Sequence, residues 1–287
     1  MAEKMLRDLP KIEGNLASAD ARAKARQIRS QPVVLLTTGA VNPLHRGHVS
    51  LLERSAASLE GHPFGVFPAS QMAVVGAVLS PSHDLYLKGK LSGQQSSLEG
   101  FYIPAIDRVH LADIAVRTHP LVSVAAWESS VDGYWPDYPE VCIKLSRVLA
   151  TAFPAESRKY PNLLLPPRVI YCCGSDHFRK CGLDGGLMTG VGVCVVCRAG
   201  DSCPPNPARI VFSVTVEDDT SEYSSTLVRR EMSTAVKATQ AGKAAGSEGS
   251  EDEVFRRFRE QVRMIVPDGV IDSLVDWMGT RPSQPVG

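Results

Sequence analysis

The chain has 287 residues, enough to bury a substantial core in one large or two small domains. Its 31 Lys and Arg residues balance 31 Asp and Glu residues, which excludes a whole-molecule electrostatic attraction to nucleic acid or to an anionic membrane. No apolar run approaches the roughly 20 residues of a membrane span, and the first residues lack the apolar core of a secretory signal. We therefore expect a soluble protein of the cytoplasm or nucleus.

Short apolar runs alternate along the chain with stretches of helical periodicity. The predicted strands are residues 33–36, 74–79, 121–127, 169–173, 192–197 and 210–216. Apolar residues recur at helical spacing at Val49, Leu52, Ala56 and Leu59, and at Val141, Leu145, Val148, Leu149 and Ala152. Several strands are nearly continuous apolar runs, as expected for strands that are covered on both faces. The alternation predicts an α/β fold with a doubly wound, mainly parallel sheet.

Two segments stand outside this alternation. Residues 1–30 include the basic, Ala-rich stretch "ARAKARQIRS" and are expected to form a loosely ordered N-terminal extension. Residues 31–280 would form the single domain. Within it, residues 237–253 read "KATQAGKAAGSEGSEDE", which lacks apolar periodicity and predicts a mobile, dispensable surface insertion.

The seven cysteines are scattered without a spaced framework and predict thiols in a reducing compartment. Cys194 and Cys197 form a C-x-x-C inside "VGVCVVCRAG". Strand alternation would send their side chains to opposite faces of the sheet, which favours packed thiols over a zinc or redox pair.

A turn-rich motif, "TTGAVNPLHRGH" at residues 37–48, follows the first predicted strand. Ligands of a parallel sheet gather at the carboxyl ends of the strands, so we expect a phosphate here. Gly39 allows a sharp turn close to a ligand, and Pro43 fixes the exit from that turn. A helix beginning near His45 would direct free backbone N–H groups at an anion. His45 and His48 share one face of its first turn, where two imidazole donors can hold phosphate oxygens and stabilise developing charge.

A second motif, "SEYSSTLVRREM", lies far downstream. Ser224, Ser225 and Thr226 are residue types that cap helices, and Arg229 follows within one turn. Hydroxyl groups, free backbone N–H groups and a guanidinium at one helix start predict a binding site for a polyphosphate tail.

These segments resemble a known family. "GAVNPLHRGH" resembles the H-x-G-H signature of the nucleotidyltransferase superfamily, and "SSTLVRR" resembles its I-S-S-T-x-x-R motif. The stretches "LSPSHDLYLKGKL", "DRVHLADIA", "VAAWES", "CCGSDHF", "VCRAG" and "IVPDGVI" are similar to segments of the eukaryotic nicotinamide/nicotinate mononucleotide adenylyltransferases. The resemblance covers about residues 32–277 in the family's order and implies a Rossmann-like nucleotidyltransferase fold.

The resemblance also implies a reaction in NAD biosynthesis. ATP and nicotinamide or nicotinate mononucleotide would give NAD, or its deamido form, and pyrophosphate. The 5′-phosphate attacks the α-phosphorus in line, while Mg²⁺ on the ATP phosphates spreads the charge. No covalent nucleophile and no metal site made of protein ligands are expected.

Site residues follow from the same resemblance. The implied ATP-binding residues are Gly39, Ala40, Val41, His45, His48, Gly174, Asp176, Ser224, Ser225, Thr226 and Arg229. His45, His48 and Arg229 are implied to act in catalysis. Lys88 or Lys90, with Lys90 favoured, would hold the mononucleotide phosphate, and Trp127 would lie against the pyridine ring. A core position for Trp127 is the alternative.

Other interpretations stay open. The family has a second Trp that stacks on the pyridine, but no aromatic residue follows Phe178 in "FRKCGLDGGL". Another nucleotidyltransferase of the same architecture, such as a cytidylyltransferase or a pantetheine-phosphate adenylyltransferase, is one alternative. A non-catalytic nucleotide-binding relative is another. The sequence does not decide whether nicotinamide or nicotinate mononucleotide is the preferred substrate. It also does not decide whether the protein forms a homo-oligomer.

Overall fold

The computed structural model describes residues 8–63, 70–92, 101–187, 191–198, 200–203, 211–215, 223–244 and 250–280. The strands are β1 Arg29–Gly39, β2 Ser70–Pro81, β3 Val122–Val124, β4 Arg168–Gly174, β5 Gly192–Cys197 and β6 Val211–Thr215. The α-helices are α1 Leu9–Ala25, α2 Arg46–Leu59, α3 Asp84–Ser92, α4 Ala105–Val116, α5 Tyr138–Ala152, α6 Ser175–Lys180, α7 Ser225–Ala244, α8 Ser250–Val262 and α9 Asp268–Thr280. The predicted strands are confirmed, although β1 and β2 are longer and β3 is shorter than expected. Residues 210 and 216 of the sixth predicted strand lie outside the described residues.

The strands form one six-stranded sheet in the order β3-β2-β1-β4-β5-β6, and every neighbouring pair is parallel. This confirms the predicted doubly wound, Rossmann-like α/β fold. The strand order reverses between β1 and β4, which pair through residues 33–36 and 168–171. A sheet with this topology opens a crevice at the carboxyl ends of those two strands.

Both faces of the sheet are covered by apolar packing. Along β1, Val33 and Leu35 belong to one buried cluster, and Val34 and Leu36 belong to the other. Burial on both faces explains why β1 appears in the sequence as a continuous apolar run instead of an alternating one. Cys194 and Cys197 also fall in different clusters, as strand alternation predicts.

The N-terminal segment differs from the loosely ordered extension expected from its composition. Helix α1 buries Ile12, Leu16, Ala19 and Ala23 in the second cluster. It packs so closely on β2 that a Cβ at Gly76 would lie 2.9 Å from Cγ1 of Ile12. Two of the four residues that α1 buries are alanines, which give only a weak apolar signal. The basic residues around them therefore determined the prediction made from the sequence.

Residues 237–253 are also more regular than expected. Residues 237–244 continue α7 and residues 250–253 begin α8, while residues 245–249 lie outside the described part. Alanine and lysine favour helix even without an apolar stripe. Dispensability of the segment stays a prediction. Within the described residues, no helix combines the length and the apolar character of a membrane span.

Candidate active site

A cleft of about 540 Å³ opens where the strand order reverses, at the ends of β1 and β4. The residues expected from the sequence that line it are Gly39, Ala40, Val41, His45, His48, Lys90, Gly174, Asp176, Ser224, Ser225, Thr226 and Arg229. The two motifs, almost two hundred residues apart in the chain, therefore face one cavity. Their roles in catalysis and binding stay predictions.

The two motif histidines cap helix α2 reciprocally. His45 is the N-cap residue, and its Nδ1 accepts a hydrogen bond of 3.2 Å from the backbone N–H of Gly47. The backbone N–H of His45 donates to Nδ1 of His48 at 3.1 Å, and the two ring centroids are 3.8 Å apart. With Nδ1 accepting in both rings, the hydrogen-bond network assigns the ring hydrogen to Nε2 in the neutral form. Each imidazole then keeps one N–H donor for a ligand.

Burial keeps both imidazoles neutral. It is the largest cause lowering the pKa of His48 to about 4, and Lys90 lowers it further. A hydrogen bond that the protonated ring can donate from Nδ1 to the backbone oxygen of His45, 3.3 Å away, raises it. The pKa of His45 also lies well below its ordinary value, through burial first and then through His48 and Arg198. Both rings can donate hydrogen bonds to a phosphate without titrating near neutral pH.

Glycine is required between the two histidines by close packing. A Cβ at Gly47 would lie 2.9 Å from both Cε1 and Nδ1 of His45, and 3.4 Å from Cβ of Tyr223. Val41, two residues before the motif's Pro, has φ of 46°, a left-handed conformation that is uncommon for a β-branched residue. The loop is therefore held in a conformation that other contacts must stabilise.

The second motif supplies some of those contacts. Arg229 is almost fully buried; it donates from Nη1 to the backbone oxygen of Asn42 at 2.7 Å and from Nη2 to Oγ1 of Thr226 at 3.1 Å. The hydroxyl of Ser225 donates to the backbone oxygen of Pro43 at 2.9 Å. Ser224 Oγ accepts from the backbone N–H of Leu227, which confirms that the motif caps a helix.

Arg108 holds the loop of the first motif from the other side, and sequence reasoning missed it. Its guanidinium is fully buried and donates to the backbone oxygens of Ala40 at 2.7 Å and Ser82 at 2.8 Å. It also donates to Oδ1 of Asp84 at 2.7 Å and to the backbone oxygen of Ile103 at 2.9 Å. These bonds join the ends of β1 and β2. An arginine within the apolar pattern "DRVHLADIA" was the available signal.

The two candidate lysines differ in position. Lys90 lines the cleft, and its pKa is lowered, first by burial and then by the charges of Arg229 and Lys180. Lys88 instead places its Nζ 5.5 Å from the ring centroid of Tyr102. The geometry favours Lys90 for contact with a substrate.

Trp127 is not among the described residues that line the cleft, and it takes the core-side position that the sequence offered as the alternative. Its half-buried ring packs against the second apolar cluster, and Nζ of Lys144 lies 5.6 Å from its centroid. Tyrosine and tryptophan residues that line the cleft are Tyr86, Trp135, Tyr138, Tyr171 and Tyr223. The ring of Tyr138 stacks on that of Tyr171, with centroids 5.1 Å apart. The loop before α5, which brings Trp135 to the cleft, carries no helical or strand pattern that would have predicted this position.

One carboxyl group of the cleft is deeply buried. Oε2 of Glu128 accepts a hydrogen bond of 2.6 Å from the hydroxyl of Ser80. Burial raises the pKa of Glu128 to about 7, against the opposing effects of Ser80, Ser82 and Arg108. Glu128 follows the third predicted strand directly in "VAAWES", so its place at the carboxyl edge of the sheet could have been read from the sequence.

The cysteines are not all thiols, which corrects the expectation from composition. Cys197, at the end of β5, forms a disulfide with Cys203, because the following turn brings their Cα atoms to 5.7 Å. Inside this turn Asp201 accepts hydrogen bonds from the hydroxyl of Ser175 and from the backbone N–H of Arg198. Arg198 lines the cleft.

Comparisons with known proteins agree with the motifs. No protein-family model matches the chain. Over 100 residues the chain is 30% identical to nicotinamide/nicotinic acid mononucleotide adenylyltransferase 2 of Danio rerio, Xenopus tropicalis and Rattus norvegicus. The match covers 35% of this chain and 27% of each relative, so the chain spans little more than a quarter of the length of these curated relatives.

Solved structures give a weaker likeness. Plasmodium falciparum nicotinic acid mononucleotide adenylyltransferase complexed with APC aligns with a TM-score of 0.45 and 10% identity, over 86% of this chain and 96% of that chain. The same enzyme complexed with NaAD aligns with a TM-score of 0.46 and 8% identity, over 87% and 96%. The resemblance to mononucleotide adenylyltransferases that the motifs predict is confirmed over the 100 residues matched by the curated relatives.

Proposed function

We propose that this protein transfers the adenylyl group of ATP to nicotinamide or nicotinate mononucleotide, giving the dinucleotide and pyrophosphate. The observation that carries the proposal is the convergence of the two phosphate motifs on one cleft. The hydrogen bond from Arg229 to Asn42 fixes them against one another. The curated relatives are named as nicotinamide/nicotinic acid mononucleotide adenylyltransferases, and this name supports a pyridine mononucleotide as the acceptor of the adenylyl group.

The donors around the cleft suit a polyphosphate. His45 and His48 offer Nε2–H groups at the start of α2, where the positive end of the helix dipole also favours an anion. Lys90 and Arg198 add positive charge to the same cleft. Mg²⁺ enters as part of the MgATP substrate.

These groups act by positioning and by stabilising charge. The mononucleotide 5′-phosphate attacks the α-phosphorus in line, the bond from that phosphorus to the bridging oxygen of pyrophosphate breaks, and pyrophosphate leaves. Negative charge builds on the transferred phosphoryl group during the displacement. A neutral imidazole donor that is already oriented by the helix N-terminus gains strength as that charge builds. No covalent intermediate is required.

Turnover assays with matched substrates test the proposal. Purified protein is given MgATP with nicotinamide mononucleotide, nicotinate mononucleotide or phosphopantetheine, and CTP with choline phosphate. Chromatography of the products should show dinucleotide and pyrophosphate from the pyridine mononucleotides. Product from CTP or phosphopantetheine instead would identify another nucleotidyltransferase. Binding of ATP without any product would favour the non-catalytic alternative.

The variant His48→Gln tests whether any activity belongs to this cleft. Glutamine at the third helical position can accept the His45 backbone N–H, as in ordinary capping boxes, but it lacks the imidazole donor. His110→Gln, at an exposed position on α4, is the matched control and should keep the parental rate. If both variants lost the same fraction of the turnover rate, the loss in His48→Gln would not be specific to the cleft.

A further inference from the structure

A disulfide closes the turn at the carboxyl end of β5, beside the cleft. Cys197 is the last residue of β5, and it is bonded to Cys203, whose Cα lies 5.7 Å from its own. One residue before Cys197, Val196 lines the cleft and pairs with Gly174 at the end of β4. The covalent link therefore lies at the same edge of the sheet as the cleft.

The turn fixes the backbone of Arg198, a residue that lines the cleft. The backbone N–H of Arg198 donates to Oδ2 of Asp201 at 3.0 Å, and the backbone N–H of Asp201 donates to the backbone oxygen of Arg198 at 3.0 Å. The same Oδ2 accepts a hydrogen bond of 2.5 Å from the hydroxyl of Ser175, the first residue of α6. The turn is thus joined to the segments that follow both β4 and β5.

The two bonded cysteines differ in burial. Cys197 is fully buried in the second apolar cluster, whereas Cys203 is half-buried. A thiolate from solution can therefore approach the sulfur of Cys203 but not that of Cys197. The other five cysteines of the chain are free thiols, so the protein is not held together by a disulfide framework. One accessible disulfide among free thiols is typical of a redox-sensitive pair.

We propose that Cys197 and Cys203 form a redox-modification site, and that their reduction by a dithiol weakens nucleotide binding in the cleft by releasing Arg198. The identification of that nucleotide as ATP rests on the proposed function. The site itself depends only on the disulfide and on the contacts of its turn.

The reduction is an ordinary thiol–disulfide exchange. A thiolate of the dithiol attacks the sulfur of Cys203, the bond between the two cysteine sulfurs breaks, and Cys197 leaves as a thiolate that takes up a proton. The second thiol of the dithiol loses its proton and attacks the mixed disulfide, which releases Cys203 as a thiolate that is then protonated. The dithiol ends as a disulfide, so its two electrons and two protons have passed to the protein.

Loss of the link should act on binding more than on the chemical step. Without the covalent constraint the turn gains conformational freedom, and ordering it again adds to the cost of binding. The charge of Arg198 reaches the first motif, because it lowers the pKa of His45 after burial and His48. A guanidinium that is no longer held beside the phosphate site should weaken MgATP binding about three- to tenfold.

The test compares protein treated with oxidised glutathione with the same protein after dithiothreitol. Alkylation with N-ethylmaleimide in denaturant, followed by mass spectrometry, should label Cys197 and Cys203 only after reduction. The calorimetric Kd for MgATP should rise about three- to tenfold on reduction, KM for ATP should follow it, and kcat should change less. A second treatment with oxidised glutathione should restore the first values.

Three variants separate the disulfide from other effects of the reductant. Cys203→Ser removes the link permanently, so it should show the Kd of the reduced parent and no response to dithiothreitol. Arg198→Gln should weaken MgATP binding and remove most of the response, because the turn then carries no guanidinium into the cleft. Cys181→Ser, at another half-buried cysteine, is the matched control and should respond to dithiothreitol as the parent does.

The outcomes distinguish this inference from the proposed function. An unchanged Kd on reduction, a full response in Arg198→Gln, or free thiols at Cys197 and Cys203 after oxidised glutathione would overturn the inference and leave the proposed function standing. Oxidised protein that binds MgATP but makes no dinucleotide would overturn the proposed function, and the change in Kd would still decide the inference. Protein that binds no MgATP in either state would overturn both.

Discussion

Arg229 donates a hydrogen bond of 2.7 Å from Nη1 to the backbone oxygen of Asn42, so the arginine of the second motif holds the loop of the first. Sequence reasoning assigned this guanidinium to the tail of ATP and to catalysis, and gave it no structural part. Its burial and its bond to Thr226 show that it also has a structural part. One side chain thus holds the loop of the first motif and also lines the cleft proposed to bind the polyphosphate.

Replacing Arg229 should therefore affect both folding and turnover. Arg229→Ala leaves the Asn42 oxygen without this donor and should lower the free energy of unfolding by about 1 to 3 kcal/mol. It should also raise KM for ATP and lower kcat. Arg229→Lys should restore only part of the lost stability and part of the lost activity. The lysine ammonium is a point charge and cannot replace the planar guanidinium. Urea unfolding and steady-state kinetics of the two variants measure these effects; a parental KM in a folded Arg229→Ala protein would contradict the assignment.

Gly47→Ala tests the close packing inside the H-x-G-H motif. The added Cβ would lie 2.9 Å from the His45 ring, so the ring must move and kcat should fall at least about tenfold. Gly14→Ala is the matched control, because no atom lies within 4 Å of a Cβ at that exposed position in α1. Alanine there should stabilise the protein by about 0.5 to 1 kcal/mol and leave kcat unchanged. Full activity in Gly47→Ala would show that the His45 position is not critical.

The low pKa of the half-buried His48 predicts a pH dependence of stability. Burial lowers its pKa from 6.5 to about 4, so below pH 6.5 the unfolded chain binds a proton that the folded chain does not. The contribution of His48 is then fully present above pH 6.5 and is lost as the pH falls towards 4, by up to about 3 kcal/mol. Urea unfolding of the parent and of His48→Gln across this range isolates the effect, because the glutamine does not titrate. The difference in stability between the two should shift in favour of the variant at low pH; parallel curves would contradict a buried, neutral imidazole.

Helix α1 should be essential to the fold. Leu16 is fully buried, and truncation to alanine should lower the free energy of unfolding by about 2 to 5 kcal/mol. Glu13→Ala, at an exposed position on the same helix, is the control and should change stability by less than about 0.5 kcal/mol beyond the loss of its surface ion pair with Lys159. Urea unfolding measures both. Equal stability of Leu16→Ala and the parent would restore the expectation of a loosely ordered extension.

Local patterns predicted the sheet and the phosphate cleft because both depend on short stretches of sequence. A continuous apolar run such as that of β1 predicts a doubly covered strand, and a histidine motif directly after it predicts a ligand at the edge of the sheet. The contacts of Arg108 and the position of Trp135 depend on how distant segments pack, and no local periodicity encodes them. Helix α1 was missed because its small alanines give a weak apolar signal although they bury well.

The most direct test of the account is kcat for dinucleotide formation by His48→Gln beside His110→Gln. His48 should act mainly on the transition state, because its Nε2–H strengthens as charge builds on the transferred phosphate. Loss of that donor should lower kcat by roughly 10² to 10³, with a smaller change in KM, in a protein whose circular dichroism matches the parent. A folded His48→Gln protein that turns over at the parental rate would show that His48 only caps α2, and would contradict the assignment of this cleft to adenylyl transfer.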